Sequence, residues 1–300
     1  MNIKSKKRIE KGLKRKTSKY RKIHLISNIA FTVITVLAVF IFITHIFTKK
    51  NSYREKGIDA YKAGNYTEAI EYFDKGLKIN QWFSNKIDID MLMYRGDSYM
   101  QLMDYDSANQ NYERIVSDYS ENTYDKDRVQ FYINLSSAMM RYQKGDYDST
   151  ISCFNDAVER GYIEFAIYAA NCYESKENYD KMKEYLDIYS KKFGNTTYVC
   201  YKYVNYFLRM NDYNNALSYI SLGKQSEDDT YSQKLKYDEI LCYKNMKDYQ
   251  KALELADSYT KEYPDDKNGH AIYNYLYSRI NIDPEPVNNI FNVSIESPEE

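Results

Sequence analysis

The chain has 300 residues with 42 basic and 43 acidic side chains, yet eleven of the bases fall within the first 22 residues against the single acid Glu10. That segment carries about +10 and the remainder about −11. The acidic balance of the body disfavours a nucleic-acid-binding role for it. The three histidines and four scattered cysteines provide no His-centred nucleophilic site, CxxC pair or His-x-x-Glu-His spacing.

In chain order, residues 1–22 read as a basic cytoplasmic arm. With only Tyr20 among its bases to stack on a nucleobase, the arm reads as a topology signal rather than a nucleic-acid grip. Residues 23–48 follow as 26 positions without Asp, Glu, Lys or Arg, longer than the roughly 20 apolar residues that cross hydrocarbon. The exit Thr44-His45-Ile46-Phe47-Thr48-Lys49-Lys50 has no small-residue cleavage pattern, so an uncleaved anchor is expected rather than a secretory signal. Eleven bases before the span outweigh Lys49, Lys50 and Arg54 after it, which places the amino terminus inside and the large domain outside the cytoplasm.

Beyond the span an Asn or Asp followed by Tyr recurs six times, at Asn65-Tyr66, Asp104-Tyr105, Asp146-Tyr147, Asn178-Tyr179, Asp212-Tyr213 and Asp248-Tyr249. Successive tyrosines lie 39, 42, 32, 34 and 36 residues apart, the period of a helical hairpin stacked on copies of itself. In the first copy Gly64 suits a left-handed helix stop and Asn65 the cap of the next helix. Tyr66, Ala69, Ile70, Phe73 and Leu77 then share one helical face. The two long intervals predict extended helices or loops near Gln81–Asp90 and Ser117–Lys126.

Gly57, Gly64, Tyr66, Ala69, Phe73 and Gly76 together resemble the tetratricopeptide repeat, and Pro264 stands where that family's pattern ends a second helix. Later copies keep the frame with bulkier residues at Ile115, Met182 and Tyr189. The resemblance implies an all-α fold: a right-handed superhelical solenoid of about six hairpins over 51–264, with a capping helix over 265–282, preceded by one transmembrane helix. The apolar Ile272, Tyr275, Leu276 and Ile280 suit that last helix, and an acidic disordered tail is expected over 283–300.

The resemblance also implies a groove lined by the first helices, which in this family commonly holds a peptide or a partner's helix. Carried over by frame, the candidate partner-binding residues are Tyr61, Lys62, Asp97, Met100, Tyr142, Asn171, Glu174, Asn205, Arg209, Tyr237 and Lys244. The carboxylate clamp of one subgroup is not assembled, since Ile58 and Ile167 stand where its partners for Arg54 and Asn171 would be. Cys153, Cys172, Cys200 and Cys242 read as small thiols inside helices rather than a disulfide framework. No catalytic residue, cofactor or metal site is expected. The expected function is a membrane-anchored scaffold in an extracytoplasmic envelope complex, with a protein or peptide partner; a glycan or small-ligand receptor using a tyrosine-lined groove is the alternative.

Overall fold

The computed structural model describes residues 3–226 and 228–281; the expected tail 283–300 and Ile282 of the expected capping segment lie outside them. The fold is all-α. Among the described residues there are thirteen α-helices and one 3₁₀ turn, and the chain divides into two compact units, Met1–Gln143 and Lys144–Glu300. The first unit holds α1 (Ile3–Lys62), α2 (Tyr66–Leu77), α3 (Asn85–Gln101), α4 (Tyr105–Asp118) and α5 (Lys126–Gln143). The second holds α6 (Ile151–Glu159), the 3₁₀ turn Ile163–Phe165, α7 (Ala166–Ser175), α8 (Tyr179–Phe193), α9 (Thr197–Arg209), α10 (Tyr213–Gly223), α11 (Ser232–Asn245), α12 (Tyr249–Glu262) and α13 (Lys267–Asn281).

No break separates the span expected over 23–48 from the solenoid expected over 51–264: α1 runs unbroken for 60 residues through the first into the second. No Gly or Pro occurs from Leu13 to Lys56, so nothing in that stretch stops a helix once it has started. Lys19–Phe42 is the part long and apolar enough to cross a membrane, and none of it is buried by the rest of the chain.

The six Asn/Asp-Tyr turns share one backbone solution. The residue before each Asn or Asp is left-handed, with φ of +80° at Gly64, +60° at Met103, +80° at Gly145, +57° at Glu177, +56° at Asn211 and +67° at Lys247. In the second turn the Met103 amide donates to Met100 O (3.1 Å) and the Asp104 amide to Tyr99 O (3.0 Å), closing the preceding helix. Asp104, Asn178, Asp212 and Asp248 then accept from the backbone N–H three residues on, at 3.1–3.2 Å, and cap the following helix. Two copies depart from the expected capping: in the third, α6 begins only at Ile151 with Thr150 at its N-cap, and in the first, Asn65 does not cap. Its side chain makes no such bond, and that turn rests on Gly64 and on the Asn65 amide donating to Ala60 O (2.9 Å).

Within each hairpin the small residues permit close approach. A Cβ on Gly57 would stand 2.4 Å from the Phe73 ring, and one on Gly96 2.5 Å from the Tyr112 ring. Phe73, Ala69, Met91 and Ala60 form one core cluster, and Leu92, Tyr112, Ala108, Ile115 and Val129 another. Met182 and Ile115 are fully enclosed despite replacing smaller residues, whereas Tyr189 stays half-buried against Phe193 (4.8 Å between rings). At the carboxyl end α13 buries Ile272 and Leu276 against Ala252, Ala256 and Tyr259 of α12; Tyr275 points away and is exposed. Cys172, Cys200 and Cys242 are free buried thiols, and burial pushes the Cys200 thiol up to about 11 and that of Cys242 to about 12.

Candidate partner-binding surface

In the first unit the first helices of the hairpins are the end of α1, α3 and α5. Tyr61 on α1 is half-buried and meets Tyr94 of α3 edge-on (5.4 Å) and Tyr66 of α2 (5.6 Å). Burial, followed by the charge of Asp97, raises its phenol to about 12. Asp97 accepts a hydrogen bond from the Tyr112 hydroxyl at 2.7 Å. Burial lifts the Asp97 carboxyl to about 6, against the opposing pull of that bond and of Arg128. Arg128 also lies over the Tyr132 ring, 5.7 Å from its centre.

Below these groups a hollow of about 450 Å³ opens between α1, α3 and the start of α5. Apolar Ile89, Met93 and Val129 share its lining with Arg54, Lys86, Asp90 and Arg128, and Arg54 is paired with Asp90. Of the other candidates here, Lys62 is exposed at the last position of α1, Met100 packs against the Leu92–Tyr112 core, and Tyr142 is half-buried near the end of α5.

The second unit uses α7, α9 and α11. Asn171 accepts from the Tyr198 hydroxyl (2.8 Å) and Glu174 pairs with Lys202, so both α7 candidates are engaged by α9. These contacts fasten one first helix to the next. Asn205 is half-buried on α9; Arg209 is exposed with its guanidinium 4.6 Å from the centre of the Tyr179 ring; Lys244 is half-buried on α11.

A second hollow of about 360 Å³ lies between α9, α11 and the α12–α13 end. Tyr237, a sequence candidate, lines it together with Tyr201, Lys234, Asp238, Tyr259 and Asp266. Tyr201 stacks on Tyr231 (5.0 Å), and the Lys234 ammonium lies over both rings at 5.1 and 5.2 Å. Tyr259 donates to Asp266 and receives from Gln233. Asp238 differs from its neighbours: its Oδ2 is buried with no hydrogen-bond partner, and burial holds its carboxyl at about 6 despite the nearby Lys234. A buried acceptor left unmatched costs about 1–3 kcal/mol, so the hollow favours a group that brings a donor.

Of the residues lining this hollow the sequence singles out Tyr237 as a candidate, and not Tyr201, Lys234 or Asp238. The signal was available in α11, where Lys234, Tyr237 and Asp238 are spaced i, i+3, i+4 and must share a face. Tyr201 comes from another repeat, and its place beside them depends on how α9 packs on α11.

Paired helices stacked on one another, with hollows along their first members, define a helical-repeat fold. Profiles of the tetratricopeptide repeat match residues 51–81, 90–122 and 240–266, parts of the first two hairpins and of the last. Among solved structures the chain is similar to PilF of Pseudomonas aeruginosa at 15% identity, covering 78% of this chain and 99% of that one with a TM-score of 0.51. It is also matched to a MamA variant (17% identity, 59% and 97% covered, TM-score 0.42) and a thermophilic tetratricopeptide-repeat protein of Thermus thermophilus (17%, 64% and 98%, 0.38). At these identities the likeness concerns the fold. A comparison with curated proteins gives no significant match.

Proposed function

We propose that this chain is a membrane-anchored scaffold that holds a segment of a partner protein on the first-helix surface of its repeats. In this reading the charge-free run of residues 23–48 crosses the bilayer, the basic arm before it stays in the cytoplasm, and the repeats stand outside it as part of an envelope complex. The single observation that carries the binding role is Asp238, a buried acceptor without a partner in a hollow walled by tyrosines. A lysine, arginine or backbone N–H of a partner would complete it, with the aliphatic part of the same segment lying on Tyr237. A protein ligand is favoured over a glycan because Tyr201 and Tyr231 already stack on each other, which leaves little ring surface for a sugar.

A photoreactive residue in place of Tyr237 should capture a partner protein in intact membranes, and adding Asp238→Asn should reduce that capture several-fold. Capture unchanged by Asp238→Asn would sink the assigned role of the carboxylate. For the topology, a cysteine introduced at exposed Glu113 should react with an impermeant maleimide in intact cells. Reaction only after permeabilisation would place the repeats on the other side.

A further inference from the structure

The loop between α2 and α3 contains the only tryptophan of the chain, Trp82, followed by Phe83. They are 85% and 96% exposed, more than any described apolar side chain of the span, where the maximum is 69%. Two adjacent rings so open to water are costly unless something covers them, at roughly 25 cal/mol per Å² of apolar surface. They belong to none of the core clusters and line neither hollow.

What fixes this loop is a lysine of α1. Lys50 is 1% exposed although the sequence reads it as a flanking charge of the membrane span. Its ammonium pairs with Asp88 Oδ1 (2.5 Å) and donates to Ile79 O (3.0 Å) and Ser84 Oγ (2.9 Å), while the Ser84 hydroxyl donates to Asp88 Oδ2 (2.8 Å). Ile79 and Ser84 are the two shoulders of the loop, so one ammonium clasps both and Trp82-Phe83 stands between them. A buried charge with three partners specifies this arrangement strongly, because breaking any one of them strands the rest.

The height of the clasp follows from the continuity of α1. At 1.5 Å per residue Lys50 is about 12 Å beyond Phe42 and about 4.5 Å beyond Phe47. The charge-free run Ile23–Thr48 would extend about 39 Å, beyond the roughly 30 Å of hydrocarbon and into the headgroup layer, whose outer limits span about 40–45 Å. The loop therefore sits at headgroup height on the same rigid helix that crosses the bilayer. Exposed Lys49 and Lys78 beside it carry the charge that anionic headgroups attract.

We infer that Trp82 and Phe83 form a second membrane contact, with both rings seated in the headgroup layer of the leaflet from which α1 emerges, and with the Lys50–Ser84–Asp88 clasp holding them there. The preference of Trp for that layer, where an amphipathic ring meets both water and hydrocarbon, supplies the affinity. This inference rests on the anchored reading of α1. A single helix crossing a bilayer is free to tilt; a second contact one turn above the span fixes which side of the first hairpin faces the lipid.

The full-length chain carries its own probe, since Trp82 is its sole tryptophan. Reconstituted into phosphatidylcholine–phosphatidylglycerol vesicles and excited where tyrosine does not absorb, it should emit to the blue of the denatured chain. Lipids brominated near the headgroup should quench it, and quenching by aqueous iodide should fall several-fold. Lys50→Met should restore much of the iodide quenching while the chain still floats with the vesicles; the wild-type reading stands without that variant. A chain that floats with the vesicles but whose Trp82 is quenched by iodide as in denaturant, and untouched by brominated lipid, overturns the inference alone. Failure to float overturns the anchored reading and the inference with it.

Discussion

Asp97 on α3 and Asp238 on α11 are two aspartates that burial lifts to about 6, and they differ in one respect. Asp97 has the Tyr112 hydroxyl at 2.7 Å, whereas Asp238 has an oxygen with no partner. The first carboxylate is built into its own hairpin, because the ring that donates to it is also the ring packed against Gly96. The second faces a hollow. The contrast teaches that a raised carboxyl does not by itself mark a site; what marks it is an acceptor that the fold leaves for something else.

The comparison breaks most visibly in the first unit. Gly96→Ala would put a methyl 2.5 Å from the Tyr112 ring, and the forced shift should cost about 2–3 kcal/mol in thermal unfolding followed by far-UV circular dichroism. Tyr112→Phe keeps the ring and removes the donor, so it should cost about 1–2 kcal/mol by the same measurement. If Tyr112→Phe were neutral, Asp97 would be as unclaimed as Asp238 and the contrast would fail.

In the second unit the effect should have the opposite sign. Asp238→Asn removes a buried charge whose burial Lys234 offsets only in part, and should raise stability by about 1 kcal/mol at neutral pH while weakening partner capture. The pH dependence sharpens this. Folding raises both carboxyls above their ordinary 3.8, so between about pH 4 and 6 the folded chain binds more protons than the unfolded one. Their contribution to stability therefore grows as pH falls through that window, and the full cost of the buried charge is felt above about 6. The advantage of Asp238→Asn over wild type should accordingly shrink toward zero by about pH 4; an advantage constant across the window would mean Asp238 is not the titrating group.

The smallest expected effects concern the turns. Met103 and Lys247 hold φ of +60° and +67°, a conformation that costs a residue with a Cβ about 1–2 kcal/mol relative to glycine, whereas Gly64 and Gly145 hold theirs without that cost. Met103→Gly and Lys247→Gly should each stabilise by about 0.5–1 kcal/mol, part of the gain being lost to the greater freedom of glycine in the unfolded chain. Equal gains in the two units would show that the hairpin turns are interchangeable even though the carboxylates are not.

Much of the fold was legible because its determinants are local. A left-handed stop and a polar cap lie within two residues of each other, and the apolar face of each second helix repeats at helical spacing, so Asp104, Asn178, Asp212 and Asp248 could be read in place. Asn65, in the copy closest to the family pattern, does not cap, since a pattern specifies the residue and not which rotamer it adopts. The continuity of α1 was legible in principle from the missing breakers; charge at Lys49-Lys50 disguised it, because a lysine after an apolar run reads as a terminator. The burial of Lys50 was not legible, since its partner Asp88 lies 38 residues further along. The candidate groove residues fared unevenly for the same reason. Asn171 and Glu174 are spent on α9, while Tyr237 borders a hollow whose other wall comes from another repeat.

In the anchored arrangement proposed above, the unbroken α1 also sets a phase between membrane and repeats. Each residue inserted between Phe42 and Lys50 would turn the whole first hairpin by about 100° about the span and lift it by about 1.5 Å. Seven inserted residues would nearly restore the facing but raise it about 10 Å, and a flexible linker would abolish phase altogether. The length of helix between bilayer and first repeat is thus a gear setting, one that decides the direction in which the scaffold looks along the membrane surface.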